Sequence, residues 1–177
     1  MYTRREFFNL CAKTTLAISL SELLLTDLGQ AVAASQIKKP TVLWLELGSC
    51  TGDTISLDNS AAPSIRELLS KVINLKYHWV LQNVDAEHSM SVLTQIEKEE
   101  SGEFILVVEG SVMLADQGSW NYVGYENGQL ITGQDMLKRL APQARHIIAI
   151  GTCAAFGGPS ATHPNLSKSV GVMDVVK

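Results

Sequence analysis

The stretch TVLWLELGSCTGDT, residues 41–54, decides the fold. Its first five residues are almost entirely apolar, which is typical of a strand that is buried on both faces of a sheet. The loop that follows contains two glycines, and a glycine-bearing loop after a buried strand is where α/β proteins hold ligands. The same loop places a thiol, Cys50, three residues before a carboxylate, Asp53. The stretch therefore predicts an α/β fold with a ligand site at the end of its first strand.

Composition and charge limit the classes of protein to which the chain can belong. Its 177 residues are 46% hydrophobic and 18% charged, which is typical of a globular domain of ordinary size. The net charge is −4 and no basic cluster is present, so we expect no nucleic-acid partner. The four histidines lack the paired spacing of metal ligands, and we expect them to be structural or exposed.

The N-terminus has the pattern of an export signal. An arginine pair at residues 4–5 precedes a moderately apolar stretch, and the small residues AVAAS at positions 31–35 form a cleavage pattern. We therefore expect residues 1–34 to be a twin-arginine signal peptide and residues 35–177 to form an exported domain, periplasmic or on the outer face of the membrane. The twin-arginine route transports folded proteins, which suits a chain that receives a cofactor in the cytoplasm. An amphipathic N-terminal helix is the alternative.

Apolar runs that alternate with helical periodicity predict the rest of the fold. Strands are expected over residues 41–47, 77–81, 104–108 and 146–150, and helices from residue 63, around residues 90–96 and over residues 134–140. The segment 111–133 is rich in glycine, and we expect it to be mostly loop. Strands that are apolar throughout and separated by helices indicate a parallel sheet with helices on both faces.

This topology brings several chemically active side chains to one edge of the sheet. Right-handed crossovers place the loops that begin at residues 47, 109 and 151 along that edge. The side chains expected to converge there are Cys50, Asp53, Glu109 and Cys153. Thiolates and carboxylates both bind iron, so the two cysteines and Asp53 predict part of an iron–sulfur site. A disulfide between the cysteines is the alternative. We expect Glu109 to be a solvated or hydrogen-bonded carboxylate rather than part of a subunit interface or a proton path.

The same loop also permits a phosphate site. Its hydroxyls and backbone N–H groups resemble the loop of flavodoxins that surrounds the phosphate of FMN. The hydroxyl donors would be Ser49, Thr51 and Thr54. Asp53 opposes this interpretation, because a carboxylate beside a phosphate is costly without a compensating cation. Trp120 and Tyr122 lie in a later segment from which aromatic rings could sandwich a flavin. An exported FMN-binding electron carrier therefore remains a second hypothesis.

Four segments together resemble a known family. They are WL at residues 44–45, SCTG at 49–52, VEGS at 108–111 and GTCAAFGG at 151–158. Their order and spacing, combined with the arginine pair near the N-terminus, resemble the small subunit of nickel–iron hydrogenases over essentially the whole chain. The segment around Cys153 is the most specific of the four.

The resemblance implies a fold, a cofactor and partners. The fold would be a flavodoxin-like doubly wound parallel sheet, and Cys50 and Cys153 would ligate a 4Fe-4S cluster proximal to the nickel. Asp53 occupies the position of the usual second cysteine and would be the third ligand. The nickel–iron centre would lie in the partner large subunit, from which this small subunit would relay electrons toward a membrane cytochrome or another acceptor.

The chain departs from the pattern of the family in one further respect. In the family, the fourth cysteine of the proximal cluster lies in a Pro-Gly-Cys-Pro segment shortly after the position where this sequence stops, at Lys177. The domain that carries the other clusters follows later still. The resemblance therefore implies that the chain is an N-terminal portion and that this portion alone is inactive.

Overall fold

Four parallel strands form the central sheet of the computed structural model, which describes residues 38–82 and 85–176. The strands are β1 (Thr41–Glu46), β2 (Asn74–His78), β3 (Ile105–Glu109) and β7 (His146–Ile150), and their order across the sheet is β2-β1-β3-β7. The chain moves outward in one direction from β1 to β2 and in the other direction from β3 to β7. This reversal is the topological switch of a doubly wound fold. The predicted α/β class and parallel sheet are confirmed.

Helices connect the parallel strands. They are α1 (Gly52–Asp58), α2 (Ile65–Glu67), which continues as a π-helical turn over Leu68–Val72, α3 (Ala86–Glu99), α4 (Gly133–Leu140) and α5 (Gly151–Phe156). Short 3₁₀ turns cover Ala115–Gly118, Ala141–Gln143, Gly158–Ala161 and Val172–Asp174. No helix in the described ranges is long and apolar enough to cross a membrane. The predicted leader, residues 1–34, lies outside the described residues.

Apolar side chains on both faces of β1 explain why the sheet is covered on both sides. Leu43 and Leu45 point into the larger core, where α3 and α4 pack. Val42 and Trp44 point the opposite way and pack with Val107 against α1 and neighbouring residues. Because successive side chains of a strand alternate between faces, an unbroken apolar run needs a layer of helices on each face.

The second strand lies earlier in the chain than its pattern predicts. β2 spans Asn74–His78 rather than residues 77–81, and its register with β1 shifts between Val42 and Leu43. The apolar triplet at residues 79–81 forms a turn, and its three side chains are about half exposed. The prediction was wrong by about three residues, because it relied only on the apolar character of residues 79–81.

The glycine-rich segment 111–133 is more ordered than predicted. It contains β4 (Val112–Met113), which pairs with β8 (Ser169–Val170), and the hairpin of β5 (Tyr122–Glu126) and β6 (Gln129–Thr132). Asn127 and Gly128 form the hairpin turn with φ of 52° and 76°. An Asn-Gly pair with both φ values positive is a strong hairpin signal, and the expectation of a loop was wrong because it overlooked this signal.

Candidate functional site

The site lies at the carboxyl ends of three neighbouring strands. The register places Glu46, the last residue of β1, beside Glu109 on β3, and places Glu109 beside Ile150 on β7. The three following loops therefore begin at the same level of the sheet, at the switch point between β1 and β3. The predicted convergence of these loops on one edge is confirmed, and such a crevice is where doubly wound proteins bind ligands.

The loop after β1 is held against the segment after β3 by backbone contacts. Gly48 and Ser111 exchange two N–H to C=O hydrogen bonds of 3.0 and 3.1 Å. Gly110 has φ of 91°, and a Cβ at this position would lie only 2.7 Å from the backbone nitrogen of Ser49. Glycine at position 110 thus permits both the left-handed turn and the close approach of the two segments. These backbone contacts alone fix the loop that carries Cys50 to the sheet.

A buried carboxylate lies beneath this loop. Glu109 is fully buried, and its Oε1 accepts hydrogen bonds from Ser49 Oγ (2.9 Å) and from the backbone N–H of Asp53 (3.2 Å). Its Oε2 accepts from Trp44 Nε1 (3.0 Å) and Thr54 Oγ1 (2.5 Å). Burial alone would raise the pKa of Glu109, but the hydrogen bonds outweigh burial and lower the pKa. The carboxylate is therefore held ionised by neutral donors, which confirms the expected hydrogen-bonded role.

The network continues to the end of β2 through His78. The Nδ1 atom of His78 accepts hydrogen bonds from two backbone N–H groups of the following turn, so its Nε2 carries the proton of the neutral ring. Nε2 faces Thr54 Oγ1 at 3.2 Å, and the ring stacks on Trp44 with centroids 5.2 Å apart. Burial lowers the pKa of His78, although the charge of Glu109 opposes this shift. His78 is structural, as expected.

A second carboxylate at the site, that of Glu46, was missed by the sequence analysis. Its Oε1 accepts a 2.5 Å hydrogen bond from Thr51 Oγ1, while its Oε2 is buried without a partner among the described residues. Burial raises the pKa of Glu46, the Thr51 bond lowers it, and the charge of Glu109 raises it further. A glutamate at the end of an otherwise apolar strand was the sequence signal available for it.

The predicted ligand residues occupy the exposed side of the same crevice. Cys50 is exposed, Cys153 is partly buried, and both are free thiols, so the disulfide alternative is not seen. Asp53 is partly exposed, and its carboxylate occupies the place that a Cβ at Gly151 would take. Burial raises the pKa of Cys153, and the nearby charges of Cys50, Asp53 and Glu109 add to the shift.

One detail of this arrangement differs from the prediction. Cys153 is the third residue of helix α5 rather than part of a loop, because the chain becomes helical immediately after β7. Burial raises the pKa of Asp53, and repulsion from Glu109 raises it further. Cys153 thus lies within electrostatic reach of both Cys50 and Asp53, although more than 100 residues separate the two cysteines.

The predicted ligand residues do not form a single-ion site within the residues that the structure describes. In the described part of the chain, no three histidine, cysteine, aspartate or glutamate side chains are grouped tightly enough to hold one ion. A single ion draws all its ligands to within about 2.0–2.3 Å of one centre. An iron–sulfur cluster instead takes each ligand at a different iron and usually needs four ligands. Thiolates are the usual ligands of such a cluster, and Cys50 and Cys153 lie with Asp53 at one edge of the sheet.

The hydroxyl groups of the loop are poorly placed for a phosphate. Ser49 and Thr54 donate to Glu109, and Thr51 donates to Glu46. A hydroxyl has a single proton to donate, so these three groups have none left for phosphate oxygens. Two carboxylates directly beneath the loop would also repel a phosphate. The three hydroxyl donors that the FMN hypothesis invokes are therefore already engaged.

Comparisons with known proteins show the family to which the chain belongs. Residues 50–177 match the family described as NADH ubiquinone oxidoreductase, 20 Kd subunit. The chain is 30% identical, over 97% of its length, to 56% of the periplasmic NiFeSe hydrogenase small subunit of Desulfomicrobium baculatum. It is 32% identical, over 98% of its length, to 45% of the hydrogenase-2 small chain of Escherichia coli K12. The chain thus spans about half the length of these curated relatives.

Solved hydrogenase structures share the fold. A reduced, active Ni-Fe-Se hydrogenase from Desulfomicrobium baculatum superposes with a TM-score of 0.76 and 33% identity, over 78% of this chain and 51% of that chain. An actinobacterial-type NiFe-hydrogenase from Ralstonia eutropha H16 gives a TM-score of 0.71 and 28% identity, over 80% and 44%. The chain therefore belongs to the family of the NADH ubiquinone oxidoreductase 20 Kd subunit, and its recognition as a relative of nickel–iron hydrogenase small subunits is confirmed.

Proposed function

We propose that this chain is the electron-transferring small subunit of a nickel–iron hydrogenase. In this role it relays electrons, released by hydrogen oxidation at the large subunit, through a proximal iron–sulfur cluster held by Cys50, Asp53 and Cys153. The observation that carries the proposal is the shared crevice of two free thiols and one partly exposed carboxylate at the switch point. The names of its relatives, which are hydrogenase small subunits, support the same role.

The residues of the crevice would supply different ligand atoms to a cluster. Cys50 and Cys153 would bind iron as thiolates, and metal binding would deprotonate Cys153 against the local rise of its pKa. Asp53 would supply a harder oxygen ligand, which alters the electronic character of its iron. When bound, a 4Fe-4S cluster accepts and releases one electron at a time.

Partners and location follow from the same relatives. The large subunit, with its nickel–iron centre, would dock over the crevice, and a membrane cytochrome or another acceptor would receive the electrons. The arginine pair and cleavage pattern in residues 1–35 support export by the twin-arginine route. Relatives named as periplasmic hydrogenase small subunits support a location in the periplasm or on the outer face of the membrane.

Metal and flavin analysis tests the proposal. The gene product that contains this chain is purified anaerobically, and its iron, acid-labile sulfide and flavin are measured. We expect equal amounts of iron and sulfide and no flavin. Cys50→Ser and Cys153→Ser should each reduce the iron content, whereas Ser56→Ala, an exposed change on the adjacent α1, should leave it unaltered. Bound flavin without iron would establish the FMN-binding alternative instead.

A further inference from the structure

Building on the cluster-binding role proposed above, we propose that Glu109 is the positioning residue of the ligand loop, residues 47–54. Its carboxylate holds Cys50 and Asp53 in their presenting conformation in the absence of any cluster. Glu109 itself is fully buried beneath the loop and points no oxygen at solvent. Its role is therefore exerted through the loop backbone and the loop hydroxyls.

Three of the four hydrogen bonds to Glu109 come from the ligand loop. Ser49 donates through its hydroxyl immediately before Cys50, and Asp53 donates through its own backbone N–H. Thr54 donates from the first turn of α1. One carboxylate thus fixes the backbone on both sides of the segment that carries the thiol and the carboxylate ligand. Any displacement of this segment breaks at least one of the three bonds.

The charge of Glu109 makes such a displacement costly. No lysine or arginine in the described ranges forms an ion pair with Glu109, so its ionised form depends on the neutral donors. If the loop moves away, the carboxylate loses three of its four hydrogen-bond donors. Hydrogen bonds to a charged acceptor are stronger than those between neutral groups. Their loss disfavours the displaced loop, so the loop is held in place before any ligand binds.

The network also anchors the loop to a third strand. Thr54 accepts from His78 while it donates to Glu109, and His78 is held by the backbone turn that follows β2. The fourth donor, Trp44, comes from β1 and stacks on His78. The loop is therefore fixed relative to β1, β2 and β3 together, which a single local turn would not achieve.

Replacing Glu109 with glutamine isolates this role. Each oxygen of Glu109 faces one donor that cannot become an acceptor, Trp44 Nε1 on one side and the backbone N–H of Asp53 on the other. The amide of glutamine has one oxygen and one NH₂ group, so in either orientation the NH₂ group opposes an N–H. Glu109→Gln therefore preserves shape but removes the anchoring.

Hydrogen exchange on the 177-residue chain without iron tests the inference. In Glu109→Gln, the amides of residues 47–54 should exchange about 10- to 100-fold faster, after correction for any change in global stability. The matched control is Glu97→Gln, which weakens a partly buried carboxylate bonded to Arg139 and Gln143 away from the loop. A role in overall stability alone predicts equal corrected rates in the two variants, and that result would overturn the proposal.

If Glu109→Gln does not fold, variants that remove one hydrogen-bond donor to Glu109 test the proposal instead. Thr54→Val should accelerate exchange in the loop by a smaller factor, and Thr54→Ser, which keeps the hydroxyl, should restore slow exchange. Loop exchange that is unchanged in Thr54→Val would overturn the proposal. These measurements need no cluster, so a gene product that binds no iron would contradict the proposed function while the exchange rates still judge the role of Glu109.

Discussion

Two groups of residues at the crevice differ in burial and in hydrogen bonding. The floor, defined as Trp44, Thr54, His78 and Glu109, is buried, and each of its four side chains makes a hydrogen bond within the group. The rim, defined as Cys50, Asp53 and Cys153, is partly or wholly exposed, and its cysteines are free. The floor residues therefore stabilise the fold through hydrogen bonds with one another, whereas the rim residues remain available to bind a ligand.

The pKa values of the carboxylates in the floor and the rim shift in opposite directions. The pKa of the floor carboxylate, Glu109, is lowered because hydrogen bonds outweigh burial. Burial raises the pKa of the rim carboxylate, Asp53, and the charge of Glu109 adds to the rise, with no hydrogen bond from a described residue to offset it. Asp53 is thus easier to protonate than an ordinary aspartate, whereas Glu109 is harder to protonate than an ordinary glutamate. An iron ion bound at the rim would favour the ionised form of Asp53.

The largest expected contrast is in the free energy of unfolding when a carboxylate of each group is replaced by the corresponding amide. Glu109→Gln should lower the free energy of unfolding by about 2–4 kcal/mol, because a buried donor is left opposed to a donor. Asp53→Asn should change it by less than about 0.5 kcal/mol, because the side chain is partly exposed and only repulsion is removed. Urea denaturation of the 177-residue chain at pH 7 measures both. Equal losses of stability would erase the distinction between floor and rim.

The close approach of the backbone above the floor gives the next contrast, about 1–3 kcal/mol between Gly110→Ala and Gly102→Ala. Gly110→Ala should cost about 1–2 kcal/mol for its left-handed conformation. It should cost about 1–3 kcal/mol more because its methyl group would collide with Gly48 and Ser49. Gly102→Ala is the control, since Gly102 has φ of 79° but no described atom lies within 4 Å of the place that its methyl group would occupy. If the two variants unfold at the same urea concentration, the loop is not packed against β3 as described.

The smallest effect concerns His78. Its folded-state pKa lies below the ordinary value of 6.5 because the ring is buried. The stability contributed by the neutral ring is therefore fully present above pH 6.5 and is lost as the pH falls through the folded-state pKa. Titration of the imidazole C–H resonance by NMR should give a midpoint below 6.5. A midpoint at or above 6.5 would mean that the ring is not sealed in the floor.

The sequence predicted the parallel sheet and the edge where the three loops meet, although it placed the second strand too late, but it did not predict the hydrogen-bond partners of Glu109 in the floor. The shared edge follows from apolar runs and right-handed crossovers, which are local or general rules, so the approach of Cys50 and Cys153 could be predicted. The partners of Glu109 depend on which side chains point under the loop, and no periodicity encodes that. Thr54 and His78 were therefore recognised as network members only in the structure. Glu46 was missed because it looks like the polar end of a strand.

The most direct test of the central claim is made at Asp53, where the rim departs from the family pattern. In the gene product that contains this chain, the iron content and the midpoint potential of the cluster are measured for the wild type, Asp53→Cys and Asp53→Ala. If Asp53 is a ligand, Asp53→Cys keeps the iron and shifts the potential, because sulfur replaces a harder oxygen donor, while Asp53→Ala lowers the iron content. Iron content and potential that stay unchanged in both variants would contradict the assignment of the rim as a cluster site.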